Sequence, residues 1–295
     1  MIGQAEIEAE FRKVQNHICT FLSSRDGVVC AEDPWDYDRG TGGGITRTWE
    51  QANLIEKGGV AFSAIRGASL PPSAATQLKV PDNTPFFATG VSLVIHPHNP
   101  FVPTIHMNIR YFEAGELWWF GGGVDVTPVY PVKAQVIAFH KQLQSFCESH
   151  GEPYDFHKKT CDEYFLLPHR GETRGVGGLF VDHLRHDRDT NFAFIRDLGL
   201  LFTDLYAPFI DENRDKPYTK EQRDFQLYRR SRYVEFNLVY DRGTKFGLQS
   251  GGRTESILMS LPAVATWRYN WKPEPNTPEA ELTDYYLKPQ DWANM

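Results

Sequence analysis

Three consecutive stretches, GVSLVIHP (residues 90–97), TIHMNIRYFE (104–113) and ELWWFGGGVDVTP (116–128), read as successive strands rich in β-branched and aromatic residues. A proline-rich loop joins the first two, and the tight turn Glu113-Ala114-Gly115-Glu116 joins the last two. Helices are expected on either side in sequence. Residues 4–23 repeat Ile7, Phe11, Val14, Ile18 and Phe21 at helical steps, 132–149 end before Gly151, and 191–212 carry a Phe/Leu/Ile stripe. A glycine-rich loop at 40–44 precedes the strand-like ITRTWEQ, and 74–86 read as loop. Further on, a helix over 220–230 leads to RYVEFNLVY and TKFGLQ, expected as hairpin strands turned by Asp241-Arg242-Gly243. Thr254 then reads as the N-cap of a short helix ending at Pro262. Long antiparallel-looking strands grouped between helices, without β-α alternation, predict an α+β fold. No composition break marks a second unit, so residues 1–295 read as a single domain.

Aromatic residues make up 14% of the chain, which suits a large core or a cleft for a flat apolar ligand. The net charge of −7 argues against nonspecific binding to nucleic acid or anionic membranes, while leaving room for an anionic small molecule met by gathered arginines. Cys19, Cys30, Cys147 and Cys161 form no CxxC pair and read as buried, reduced thiols. The acidic N-terminal segment resembles no targeting sequence, and no apolar run approaches the roughly 20 residues of a membrane span. A soluble, cytoplasmic protein is expected.

Strand periodicity gives the central segment its chemistry. In an extended TIHMNIR, His106, Asn108 and Arg110 share one face, with Ile105, Met107 and Ile109 on the other; Ser92 and His96 pair up likewise on the preceding strand. A wet face of an ordinary sheet favours Thr, Lys and Glu, whereas His-x-Asn-x-Arg sets a proton carrier beside a carboxylate-binding fork. Asp125 follows three glycines and reads either as a general base or as a turn-capping residue. Gly251-Gly252-Arg253, ahead of a helix, would offer amides and a guanidinium to an anion. Asp241 fits a plain turn, and Arg229-Arg230-Ser231-Arg232 reads as a solvated face. His96, His106, His140 and His169 could supply a metal site, although no short-range ligand motif links them.

Together with GGGITRTWEQANLIEKGGVAFSAIRG, CDEYFLLPHRGETRGVGGLF and QLYRRSRYVEFNLVYDRGTKFGLQSGGRTESILMSLP, the stretches LVIHPHNPFVPTIHMNIRYFE and WWFGGGVDVTP closely resemble the oxygen-dependent coproporphyrinogen III oxidases across almost the whole chain. The resemblance implies a large antiparallel sheet flanked by helices on both sides, and oxidative decarboxylation of two propionates of coproporphyrinogen III to vinyl groups. Dioxygen is the oxidant in that family, and protoporphyrinogen IX, carbon dioxide and hydrogen peroxide are the products. It also implies a homodimer to which about 233–268 contribute, and a chemistry without flavin or nicotinamide. By motif, His106 corresponds to the proton donor. Ser92, Asn108, Ile109, Arg110, Gly251, Gly252 and Arg253 correspond to substrate contacts. Asp125 and Asp241 match acidic residues assigned to pyrrole binding or proton abstraction. His96, His106, His140 and His169 match histidines proposed as metal ligands in bacterial relatives, with no divalent metal expected to be required. Thr41 interrupts the family's early glycine run. The residues alone leave open a metal-dependent hydrolase or oxygenase and a tetrapyrrole carrier without catalysis.

Overall fold

A computed structural model describes every residue except 71–74, 77, 82, 250 and 251. Gly251, and part of the stretch expected as loop over 74–86, lie outside the described residues. One antiparallel sheet of seven strands organises the chain: β1 (Ala31–Asp36), β2 (Thr41–Glu50), β3 (Ile55–Gly67), β4 (Phe86–Pro97), β5 (Thr104–Ala114), β6 (Leu117–Thr127) and, after two helices, β9 (Gly178–Leu184). The spatial order is β1-β2-β3-β4-β5-β6-β9, so the first six strands form a meander. The turn after β5 closes as expected, with Ala114 paired to Leu117. A two-residue ribbon, β7 (Leu166–Leu167) with β8 (Glu172–Thr173), stands apart.

Alternation along β5 decides which face goes where. Ile105, Met107, Ile109 and Tyr111 are at most 1% exposed, while His106, Asn108 and Arg110 are half-buried. The apolar face is covered by α1 (Gln4–Asp26) and by α4 (Arg188–Asn213), whose stripe Phe192, Ile195, Leu198, Phe202, Leu205 and Phe209 is buried in the main core. Glycine at 199 permits this close approach, because a Cβ there would sit 2.8 Å from Val14 and 2.9 Å from Ile109. Asp187 caps α4 by accepting from the Thr190 amide at 2.8 Å. α2 (Lys133–Ser149) adds Val136, Phe139 and Leu143 to the same core.

The opposite, polar face is covered only in part. α3 (Tyr154–Tyr164) lies over β9 there, and a small second cluster of Cys161, Phe165, Leu167, Phe180 and Phe236 builds one wall. At the other edge, α7 (Thr254–Leu258) leads to Met259, which packs on Gly59 of β3. Helices thus flank the antiparallel sheet on both sides, and the α+β expectation holds. Among the described residues, no helix is long and apolar enough to cross a membrane.

Three expectations fail in the C-terminal third. RYVEFNLVY and TKFGLQ are not hairpin strands: α5 runs Lys220–Glu235, continues as a π-helical turn Phe236–Tyr240, and is followed by α6 (Arg242–Gln249). The Thr219/Gln222 capping box starts α5 firmly, and burial of Phe225, Tyr228, Tyr233 and Phe236 at helical spacing overrides the strand propensity of the β-branched and aromatic residues. Arg253, not Thr254, is the N-cap of α7, and that helix ends at Leu258. The arginine cluster is not a solvated face either. Arg229 bonds Glu172 at 2.7 Å and Arg230 bonds Glu56 at 2.5 Å, both on a buried seam, and the half-buried Arg223 takes the other Glu56 oxygen at 2.6 Å. Of the four thiols, Cys19, Cys147 and Cys161 are buried and Cys30 is half-buried; none forms a disulfide.

Burial alone would raise the Glu56 carboxyl, but the two guanidinium groups hold it below its usual range. Replacing Glu56 with Ala strands Arg230 uncompensated, with an expected loss of about 3–5 kcal/mol of unfolding free energy, read from urea melts. A loss under about 1 kcal/mol is the value for an exposed pair and would contradict the buried seam.

Candidate active site

The half-covered polar face is where the chemistry-bearing residues meet. Strand register sets Ser92 opposite Asn108, Gly90 opposite Arg110, and His106 opposite Asp125. The cross-strand pair is bonded: His106 Nδ1 donates to Asp125 Oδ1 at 2.8 Å. That donation leaves Nε2 as the nitrogen available to a ligand. Phe165 meets the imidazole edge to face at 5.9 Å.

Asp125 does not line the cleft. It is 2% exposed and is gripped by Arg174, whose Nη2 lies 2.8 Å from each carboxylate oxygen and whose Nε lies 3.3 Å from Oδ2. Burial would raise this carboxyl, but Arg174 and the His106 hydrogen bond hold it below the ordinary value, so it stays ionised. Burial works against the guanidinium charge, yet Asp125 raises its pKa further. Phe165, Tyr233 and Phe236 lie 4.0, 4.5 and 4.9 Å from the guanidinium carbon, an aromatic box around the cation. Asp125 thus faces the open side of the sheet only through the His106 ring that it bonds. Arg174 was not singled out from sequence, although it sits in the conspicuous run GETRGVGG.

Asp241 caps α6. Its Oδ2 accepts from the Thr244 amide at 2.6 Å, and its Oδ1 accepts from Tyr164 Oη at 2.8 Å. Burial pushes this carboxyl up, but those donors and the nearby His106 bring it below its usual value. It remains half-buried beside Tyr164 and Arg242 on the cleft wall.

Arg110 lies along the floor. Its Nη1 donates to Asn108 at 2.9 Å and its Nη2 to Asp182 at 2.8 Å. Glycine at 121 leaves room for the guanidinium, since a Cβ there would be 3.0 Å from Nη2 and 3.1 Å from Nε. Asp182 also faces Arg242 at 3.5 Å. At the β1/β2 edge of the same face, Arg253 is ion-paired with Asp33 and bonded to Ser256 at 2.9 Å, which itself bonds Thr46 of β2 at 2.7 Å.

Two of the expected contact residues are differently placed. Ile109 points its side chain into the core on the far face. The Gly252 amide is already donated to the Gly247 carbonyl at 2.7 Å, which removes one donor of the expected anion nest.

The four histidines do not converge. His96 is fully buried, donates Nε2–H to the Ser260 carbonyl at 2.9 Å and faces Thr104 at 3.2 Å. Burial drives its pKa well below the usual value. His140 donates to the Val176 carbonyl at 3.0 Å and accepts from Tyr154 at 2.8 Å; burial pushes its pKa down to about 3. His169 bonds Glu235 at 2.8 Å and Tyr240 at 2.9 Å. Three of the four thus spend both ring nitrogens on the protein, and among the described residues no three His, Cys, Asp or Glu side chains are arranged to hold a metal ion. A cleft of about 560 Å³ lined by Glu8, Arg12, Trp35 and Gly42–Ile45 opens on the α1 side, remote from His106.

The profile of the family described as coproporphyrinogen III oxidase matches residues 6–292. The chain belongs to this family. It is 56% identical, over 99% of its own length and 95% of the relative's, to the oxygen-dependent coproporphyrinogen-III oxidase of Dictyostelium discoideum. The matched family spans every residue of the cleft, from Ser92 to Arg253.

Asp125 contributes stability that is fully present above the unfolded carboxyl value near pH 4 and is lost as pH falls through its lower folded value. In Arg174→Met the compensating cation is gone, so burial dominates. Asp125 is then expected to take up a proton at a higher pH than in the parent, at a cost of about 3–5 kcal/mol. Urea melts from pH 3 to 8 read both; parent-like stability across that range would contradict the assignment.

Proposed function

We propose that this chain is an oxygen-dependent coproporphyrinogen III oxidase, converting two propionates of the substrate to vinyl groups in porphyrin biosynthesis. The 56% identity over nearly the full length carries the reading. The cleft fits the chemistry: a flat floor of small and polar side chains, aromatic walls, and guanidinium groups for a substrate with four carboxylates.

In each half-reaction the carbon–carbon bond to the carboxylate breaks, and its electron pair becomes the new double bond as carbon dioxide leaves. A hydride equivalent leaves the carbon next to the ring. Dioxygen takes it together with one proton, giving hydrogen peroxide. His106, carrying a proton on both ring nitrogens, supplies that proton from Nε2, with Asp125 and Arg174 fixing the ring behind it. Asp241 accepts a pyrrole N–H, which makes the ring electron-rich. Arg110 and Arg253 hold carboxylates, with Ser92 and Asn108 completing the floor. No step is routed through a metal, since His96, His140 and His169 spend both ring nitrogens on protein partners, and dioxygen is the only co-substrate.

The protein works as a cytoplasmic homodimer in this reading. Leu238, Val239, Phe246, Val264 and Trp267 are exposed and fall within 233–268, an apolar patch of the kind a partner subunit covers.

Chelator-treated protein given coproporphyrinogen III is expected to form the two-vinyl product only with oxygen present, with no stimulation by added divalent metal. His106→Ala and Asp241→Asn should each lower kcat about a hundredfold or more. Product formed without oxygen, or activity returning only with a metal, would defeat the reading. Sedimentation of Leu238→Glu/Val239→Glu should report monomer where the parent sediments as dimer.

A further inference from the structure

We propose that Asn237 is a positioning residue for this reaction, holding the His106–Asp125 pair in register through Arg174. Arg174 spends Nη2 and Nε on Asp125, and its remaining nitrogen, Nη1, donates to Asn237 Oδ1 at 3.0 Å. Asn237 is 5% exposed, and its own Nδ2 donates to Ser260 Oγ at 3.3 Å. The Ser260 carbonyl in turn receives the His96 Nε2–H. The amide is thus fixed at both ends and fixes the guanidinium at its far side.

The aromatic box attracts the cation but gives it little orientation, because ring faces do not select one in-plane rotation. Direction comes only from hydrogen bonds, at Asp125 on one side and Asn237 on the other. Without Asn237, Nη1 becomes a buried donor with no acceptor, and the guanidinium can turn between the rings to seek one. Asp125 would turn with it, and His106 with Asp125.

Asn237 reaches this position because the chain makes a π-helical turn there, closed by the Asp241 amide on the Phe236 carbonyl at 2.9 Å. The wider turn sets Asn237 against Arg174 and delivers Asp241 to the cleft wall within one element, a use typical of π turns at functional sites. Asn237 does not act on the substrate itself.

The inference rests on the proposed chemistry for its kinetic readout only; a second readout is independent of turnover. The far-downfield Nδ1 proton of His106, assigned by its disappearance in His106→Gln, reports the bond to Asp125 directly. In the full-length protein, Asn237→Leu is expected to broaden or shift that signal and to lower kcat about tenfold to a hundredfold. KM for coproporphyrinogen III should stay within about twofold. Asn237→Asp keeps the acceptor for Arg174 and should restore most of both. Ser260→Ala removes the second anchor of Asn237 together with the hydroxyl's own bond to the Ile257 carbonyl, and should move the signal in the same direction, which keeps the test decisive if Asn237→Leu does not fold. An unchanged His106 signal in Asn237→Leu, or in Ser260→Ala where the Leu variant is unfolded, overturns the proposal. So does Asn237→Asp being as impaired as Asn237→Leu. A parent enzyme that does not turn over coproporphyrinogen would count against the proposed function alone, and the His106 signal would still decide the role of Asn237.

Discussion

Two opposite charges, Asp125 and Arg174, lie next to each other in a place that water does not reach, each 2% exposed. Neither could stay there alone, because an isolated buried charge costs several kcal/mol even after relaxation. Their pairing determines much around them. Three aromatic rings close over the guanidinium, and an imidazole is held at a fixed angle on the sheet. Strands from the middle of the chain, the loop before β9 and the turn after α5 must all arrive together for the pair to form.

The sheet supplies the other half of the design. Period-two alternation on β5 sends its apolar residues to α1 and α4 and its polar ones to the open side, so one strand serves core and cleft at once. Three helices reach the polar side, α3 over β9, α7 ahead of Met259 on β3, and α5 through Tyr233 beside Arg174 and His96. Rigid pairing on both flanks of β5 keeps His106, Asn108 and Arg110 in a fixed row.

Much of this was legible in the sequence where periodicity carried it. The face shared by His106, Asn108 and Arg110 followed from spacing alone, as did the helices α1, α2 and α4. The rest depended on distant partners. Nothing near Asp125 in the sequence tells that its oxygens go to Arg174, 49 positions later. Asp125 therefore read as either a general base or a turn cap, with no sign of its burial behind an imidazole. RYVEFNLVY has strand-like composition, and its helical form depends on burial against distant residues, with Tyr233 and Phe236 packed on Arg174. The arginines of α5 read as surface charge because Glu56 and Glu172, which neutralise them, lie far away along the chain. The four histidines looked alike as letters; burial and separate carbonyl or carboxylate acceptors divided them.

The strand order has a consequence for how the molecule comes together. Strands β1 to β6 are neighbours in sequence and in space, so their pairings are local along the chain and they can zip up early. β9 closes the sheet only after two intervening helices, and Arg174 enters just ahead of it. Until then Asp125 sits on the outer strand of an unfinished sheet, still wetted, and the half-made protein carries a carboxylate that resists being covered. Late docking of the Arg174 segment both removes that resistance and orients the imidazole. A chain stalled before this step would keep most of its sheet and hold none of its reactive geometry.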